Sequence, residues 1–279
     1  MYYNKFYFSS LSTGEQFTRD TTVERDLNLM KSIQIKLLTT PSAKIEEGLV
    51  VGSSIPARLI GGDYYDFYPL MNGKIRIVIG DVMGKGIPAA MLMTLTRGAF
   101  RTAAESQTSP GKTLSSMNQA LYSDLRSLKS FVTLFCADWD PEAAELTYAN
   151  AGHTMPLHIE GDTQHVSSLP KVPGIMIGGL TDQVYKEHTV TLKPNDVVFF
   201  YTDGLIETEN KNGEHFRLER LKEVVRSEAL KEAGEIEKGV LESIETFIDG
   251  APQRDDMTMV VLKLTSKETN ISSFNAPVL

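Results

Sequence analysis

The spacing of apolar residues changes along this chain, and each change marks an element. Val23, Leu27, Met30, Gln34 and Leu37 recur at alternating intervals of four and three, which places them on one seam of a helix. Thr21 and Glu24 have capping-box spacing and Pro41 closes the segment, so a helix is expected within residues 21–40. At about two and a half heptads the seam is short for a coiled coil, because short isolated helices are marginal in water. Two readings stay open: an amphipathic helix lying on its own domain, or a helix that dimerises or receives an upstream activator. Residues 1–20 carry Tyr2, Tyr3, Phe6, Tyr7 and Phe8 with no clear period and read as an N-terminal tail.

Beyond Pro41 the period shortens. Gly48–Ile55, Tyr64–Leu70 and Lys74–Asp81 read as strands, the last with Ile75, Ile77 and Ile79 on one face and Arg76 and Val78 on the other. Met71-Asn72-Gly73 is a hairpin turn between the latter two. A helix opens near Pro88 and runs to about Ala104, and a second runs from Lys112 to Lys129 with Leu114, Met117, Leu121, Leu125 and Leu128 on one face. Strands follow at Phe131–Trp139, Glu145–Ala151, Met155–Glu160, Val184–Leu192 and Val197–Thr202, separated by turn dipeptides such as Asp140-Pro141 and Gly161-Asp162. Helices at Leu218–Ala229 and Gly234–Ile248, a strand at Met257–Leu264 and a polar tail over residues 266–279 complete the chain. Strand runs interrupted by paired helices imply an α+β layered domain over residues 41–265 rather than a doubly wound parallel one.

Composition narrows the function. The 279 residues hold 36 acidic against 28 basic side chains, a net charge of -8, with no basic cluster, so nucleic acid is not an expected partner. The one cysteine, Cys136, lies inside an apolar run and reads as a small core residue, which fits a reducing cytoplasm. No stretch approaches the ~20 apolar residues that span a bilayer, and Met1–Leu11 lacks the layout of a signal peptide, so a cytoplasmic protein with no membrane span is expected.

The candidate chemistry lies in aspartates placed where the chain turns beside a strand: Gly61-Gly62-Asp63, Gly80-Asp81-Val82-Met83-Gly84-Lys85-Gly86, Thr202-Asp203-Gly204 and Arg254-Asp255-Asp256-Met257-Thr258. Each alone is an ordinary turn signal. Strands packed side by side can deliver such end residues to one place, where clustered carboxylates repel unless hard divalent cations neutralise them. A pair of such ions can activate a bridging water for in-line attack on phosphorus. The chain has no Gly-x-Ser-x-Gly elbow, no phosphate-binding Gly-x-x-x-x-Gly-Lys-Ser/Thr loop and no His-x-x-x-His pair among His153, His158, His165, His188 and His215.

Pro56–Phe67 (Pro-Ala-Arg-Leu-Ile-Gly-Gly-Asp-Tyr-Tyr-Asp-Phe), Gly80–Gly86 with Ile87-Pro88-Ala89-Ala90, Asn150-Ala151-Gly152-His153, Tyr201-Thr202-Asp203-Gly204 and Asp255-Asp256-Met257-Thr258 together resemble the ordered motifs of SpoIIE/RsbU-type phosphatases. That group is the bacterial branch of the PPM (type 2C-like) serine/threonine protein phosphatases, and the resemblance covers residues 45–264. It implies a four-layer α-β-β-α sandwich holding two Mn²⁺ or Mg²⁺ ions. By motif position Asp81 would bridge both ions, Val82 would offer its carbonyl, Asp63 would serve one ion, and Asp203 and Asp255, with Asp256 as a further candidate, the other. Family substrates are phosphoserine or phosphothreonine on STAS-domain anti-anti-sigma proteins, in stress and sigma-factor partner switching. The expected helix over Glu24–Leu38 resembles the family's link to a regulatory region, and with no sensor domain ahead of it the signal would come from a partner or a missing segment. Pro173–Gly178 departs from the family's corresponding loop.

Arg58 and Lys85, cations flanking the metal motifs, are candidates for the substrate phosphate, and His153 is a candidate for facing the site. Two rivals to the phosphoprotein reading remain: a regulatory binding module working through its N-terminal helix with little catalysis, and a metal-dependent hydrolase of small phosphoesters.

Overall fold

A computed structural model describes residues 13–38, 42–45 and 48–265, without the side chains of residues 13–21 and 72. The chain opens with α1 (Thr13–Leu37) and continues through β1 (Ser42–Ile45), β2 (Gly48–Ile55), β3 (Tyr64–Pro69) and β4 (Ile75–Val82). Two helices, α2 (Ile87–Ser106) and α3 (Pro110–Ser127), lead into β5 (Val132–Asp140), β6 (Glu145–Ala151), β7 (Leu157–Ile159), β8 (Val166–Ser168), β9 (Glu187–Thr191) and β10 (Val197–Tyr201). The chain ends in the short α4 (Gly204–Glu207), α5 (Arg217–Glu228), α6 (Ala233–Ile248) and β11 (Met257–Leu264).

Every strand pair is antiparallel, in one sheet ordered β1-β2-β11-β10-β7-β8 and another ordered β3-β4-β5-β6-β9. The central strands are apolar on both faces because each face meets a different layer. On β4, Ile75, Ile77 and Ile79 point between the sheets while Val78 and Val82 pack under α2 and α3. On β10, Val198 and Phe200 point between the sheets, and Val197, Phe199 and Tyr201 meet Leu221, Val225, Ile236 and Val240 of α5 and α6. The result is the expected α-β-β-α sandwich, with helix pairs outside two stacked sheets.

Arg76 is the exception on the helix-facing side of β4. It is fully buried and ion-paired to Asp138 on β5 through Nε at 2.6 Å and Nη2 at 2.7 Å, and its Nη1 donates to Thr113 Oγ1 at 2.6 Å. A bidentate pair with the remaining donor satisfied is the form in which a buried guanidinium is tolerated.

The structure corrects four local expectations. Helix α1 starts at Thr13, so residues 13–20 are helical rather than tail, and the Thr21–Glu24 cap lies inside the helix; residues 1–12 of the expected tail, like the tail at 266–279, are outside the described residues. Val23 is exposed, because the seam meets the domain only from Leu27 onward. Leu128 is exposed, because α3 stops at Ser127 and turns the following residue outward. Strands β1 and β8 are edge pieces of 4 and 3 residues, too short to show a period. Among the described residues, no helix is long and apolar enough to cross a membrane.

Candidate active site

Antiparallel pairing gathers the motif aspartates. Tyr64, at the start of β3, pairs with Gly80 near the end of β4, so Asp63 and Asp81 leave one sheet at the same edge. Tyr201, at the end of β10, pairs with Met259 near the start of β11, so Asp203 and Asp255 leave the other sheet together. Thr202 Oγ1 donates to Asp63 Oδ2 at 2.8 Å, joining the two edges across the stack.

The loops between these strands are held very close. A Cβ on Gly204 would stand 1.9 Å from the Asp256 carbonyl oxygen, and one on Gly61 would stand 2.4 Å from Asp256 Oδ2. Only glycine permits either approach. Asp256 uses both of its carboxylate oxygens on this packing: Oδ1 accepts the Ala57 N–H and Oδ2 the Gly62 N–H, each at 2.7 Å. The structure therefore gives Asp256 the work of a clamp on the Pro56–Gly62 loop, where the motif alone made it a candidate ligand.

Electrostatics mark the cluster. Burial, then the charges of Asp203 and Asp255, push the Asp81 carboxyl up to about 7. Asp63 is driven well above its ordinary value by burial and by Asp81, against hydrogen bonds from Thr258 and Thr202. The Thr258 hydroxyl stands beside both that carboxylate and Ser54 Oγ, 2.7 Å away. Burial and Asp255 raise Asp203. Carboxylates that raise one another in this way lack a counter-charge. One cation does reach them: Lys85 Nζ lies 2.8 Å from Asp255 Oδ2 and donates to the Arg254 carbonyl at 2.6 Å. Lys85 is thus committed to Asp255 rather than free for a phosphate. Arg58 is exposed, lies 3.4 Å from where a Cβ on Gly86 would sit, and makes no ion pair among the described residues.

His153 faces inward. Its Nδ1 is 2.9 Å from Thr133 Oγ1, its Nε2 is buried without a hydrogen-bond partner, and burial lowers its pKa to about 4. A neutral buried imidazole between β5 and β10 is not a phosphate-binding cation, and the geometry favours the structural, hydrogen-bonded reading of this histidine over one that faces the site. Sequence reasoning passed over Gln34 as a member of an apolar seam. Its Oε1 accepts the Gly61 N–H at 3.0 Å and its Nε2 donates to the Gly61 carbonyl at 2.7 Å, so α1 holds the peptide two residues before Asp63. A buried amide on an otherwise apolar stripe was the available signal.

Among the described residues no three carboxylate, imidazole or thiol groups close tightly enough to hold an ion by side chains alone. The donor chemistry nonetheless fits Mg²⁺ or Mn²⁺: hard oxygens, excess negative charge, and pairs rather than cages, which suit an ion that keeps several waters and takes one or two carboxylates.

Two stacked antiparallel sheets with helices outside, and acidic side chains meeting at one end of the stack, are the fold and layout of the PP2C domains compared below. The chain belongs to the SpoIIE family, whose model, Stage II sporulation protein E, matches residues 71–265. It is 29% identical over 244 residues to the phosphoserine phosphatase RsbU of Bacillus subtilis, covering 86% of this chain and 70% of that protein. Two other relatives are longer, and the chain spans 43% and 47% of them. The SiaA-PP2C domain of Pseudomonas aeruginosa superposes with a TM-score of 0.77 at 23% identity, over 88% of this chain and 98% of that one. The catalytic domain of the serine threonine protein phosphatase PstP, solved in complex with 2 manganese ions, superposes with a TM-score of 0.56 at 13% identity, over 78% of this chain and 98% of that one.

Proposed function

We propose that this chain hydrolyses a phosphoserine or phosphothreonine monoester on a partner protein, with two Mn²⁺ or Mg²⁺ ions held by Asp63, Asp81, the Val82 carbonyl, Asp203 and Asp255. The observation that carries the reading is the delivery of two aspartates from each sheet to one edge, with Asp81 raised by burial and then by its acidic neighbours. Divalent ions bound there would supply an activated water for in-line attack and would neutralise the oxygen that leaves. The residues of the chain provide the rest. Asp81, central to the repulsion, is the carboxylate best placed to be shared. Asp256 and the Gly61 and Gly204 close approaches fix the loops, and Arg58, exposed and without an ion pair among the described residues, is a cation for the phosphoryl oxygens.

The similarity to RsbU, a phosphoserine phosphatase, supports a place in partner switching, and the motif resemblance implies a phosphorylated STAS-domain protein as the substrate. Phosphate release from a phosphoserine-bearing STAS-domain protein is expected to require Mn²⁺ or Mg²⁺, to stop on chelation, and to fall at least 10²-fold in D81N. Activity unchanged by both treatments would refute the reading.

A second reading is favoured by α1, which leaves Val23, Leu29, Ile33 and Ile35 exposed along its outer sides. In that reading α1 receives an upstream activator or a second copy, and catalysis is secondary.

A further inference from the structure

Thr202 does more in this structure than precede a metal-site aspartate. Its side chain is fully buried at the end of β10, after a run of apolar residues, where valine would fill the same volume. The hydroxyl is therefore the part that packing does not explain. The Thr258 N–H donates to Thr202 Oγ1 at 3.1 Å, which occupies a lone pair and turns the hydroxyl proton away from β11. The proton then has one good acceptor, Asp63 Oδ2 at 2.8 Å; the alternative, the Thr258 carbonyl, is 3.5 Å away. Thr258 also reaches Asp63 with its hydroxyl, which stands 2.7 Å from Ser54 Oγ, so two threonine hydroxyls hold the carboxylate and Thr202 supplies the 2.8 Å bond to Oδ2.

The two partners belong to different sheets. Asp63 introduces β3 in one, and Thr202 directly follows β10 in the other, one residue before Asp203. We infer that Thr202 is a positioning residue: its hydroxyl, oriented by the Thr258 amide, fixes one oxygen of Asp63 against the Asp203-bearing edge, so that the carboxylates of the two sheets meet as one cation site. Partners that orient a ligand from outside the coordination sphere commonly change metal affinity 10- to 100-fold when removed. The inference rests on the metal-dependent reading above and extends it to a residue that touches no ion.

The test is Mn²⁺ affinity, measured by calorimetry on the full chain, for wild type, T202V and T202S, with thermal unfolding of each in chelator. The expected result is a loss of roughly 10- to 100-fold in T202V, an affinity within about threefold of wild type in T202S, and little difference between the metal-free melting curves. Equal Mn²⁺ affinity in wild type and T202V overturns the inference while leaving the phosphatase reading intact. T202S as weak as T202V also overturns it, because the methyl group rather than the hydroxyl would then matter. Should T202V fail to fold, T202A against T202S isolates the same hydroxyl, and equal affinities in that pair overturn the proposal. A wild-type chain that takes up no Mn²⁺ overturns both readings together.

Discussion

At the level of single residues, position in the fold decides what each polar group can do. Lys85 and Arg58 are both cations beside the motifs, yet Lys85 pairs with Asp255 and Arg58 has no such partner among the described residues. Asp255 and Asp256 are adjacent, yet one faces Lys85 and the other accepts two backbone amides. Neither distinction was written in the motif, because it depends on which loop arrives opposite. His153 yields a pH prediction. Burial lowers its pKa from 6.5 to about 4, so the unfolded chain binds the extra proton first, and stability present above pH 6.5 is lost as pH falls toward 4. The linkage corresponds to about 3 kcal/mol at most. Urea unfolding at pH 7 and pH 4.5 is expected to show a smaller pH-dependent loss in H153Q than in wild type; equal losses would place the acid sensitivity elsewhere.

Among elements, α1 is the one whose role changes most between sequence and structure. The heptad-like spacing was legible, and Leu27, Met30, Gln34 and Leu37 are the positions that turn toward the domain. What the spacing could not show is that Gln34 clasps both backbone polar groups of Gly61, or that Arg97 Nε on α2 donates to the Leu37 carbonyl at 3.1 Å. These are contacts between segments far apart in the chain, and periodicity reports only local ones. Losing Gln34 leaves a buried N–H and C=O unpaired, at a cost of roughly 1–3 kcal/mol each. We therefore expect Q34A to loosen the loop before Asp63, visible as faster hydrogen exchange over residues 56–63 and weaker Mn²⁺ binding. Unchanged exchange there would mean that α1 does not brace the site. The central strands β4, β10 and β11 were readable because they are apolar on both faces; β1 and β8 were not, because an edge strand of three or four residues takes its form from its neighbour.

For the whole molecule, the layers were inferable from the order of strands and helices, and the aspartates from their place at strand ends. Their convergence could be expected from those places and β3 beside β4 from its hairpin turn, but the pairing of β10 with β11, which lie apart in sequence with α4, α5 and α6 between them, could not. A fold that crowds unneutralised carboxylates is held back by its own charges, and any ion bound only by the native state stabilises it by mass action. Mn²⁺ at about 100 times its dissociation constant is expected to add roughly 2.7 kcal/mol and raise the melting temperature, with chelator reversing the shift. A melting curve indifferent to Mn²⁺ would contradict native-state binding.

The hydrogen bond from Thr202 to Asp63 spans the gap between the stacked sheets, so neither sheet owns the carboxylate cluster. It exists as a vernier does, only while two scales stay aligned. A sideways slip of about 3 Å, one residue along a strand, would break the alignment while leaving each scale intact. The aromatic packing midway between them, Phe135 edge-on to Phe200 at 5.7 Å, is in that sense part of the instrument's calibration although it lies in the core.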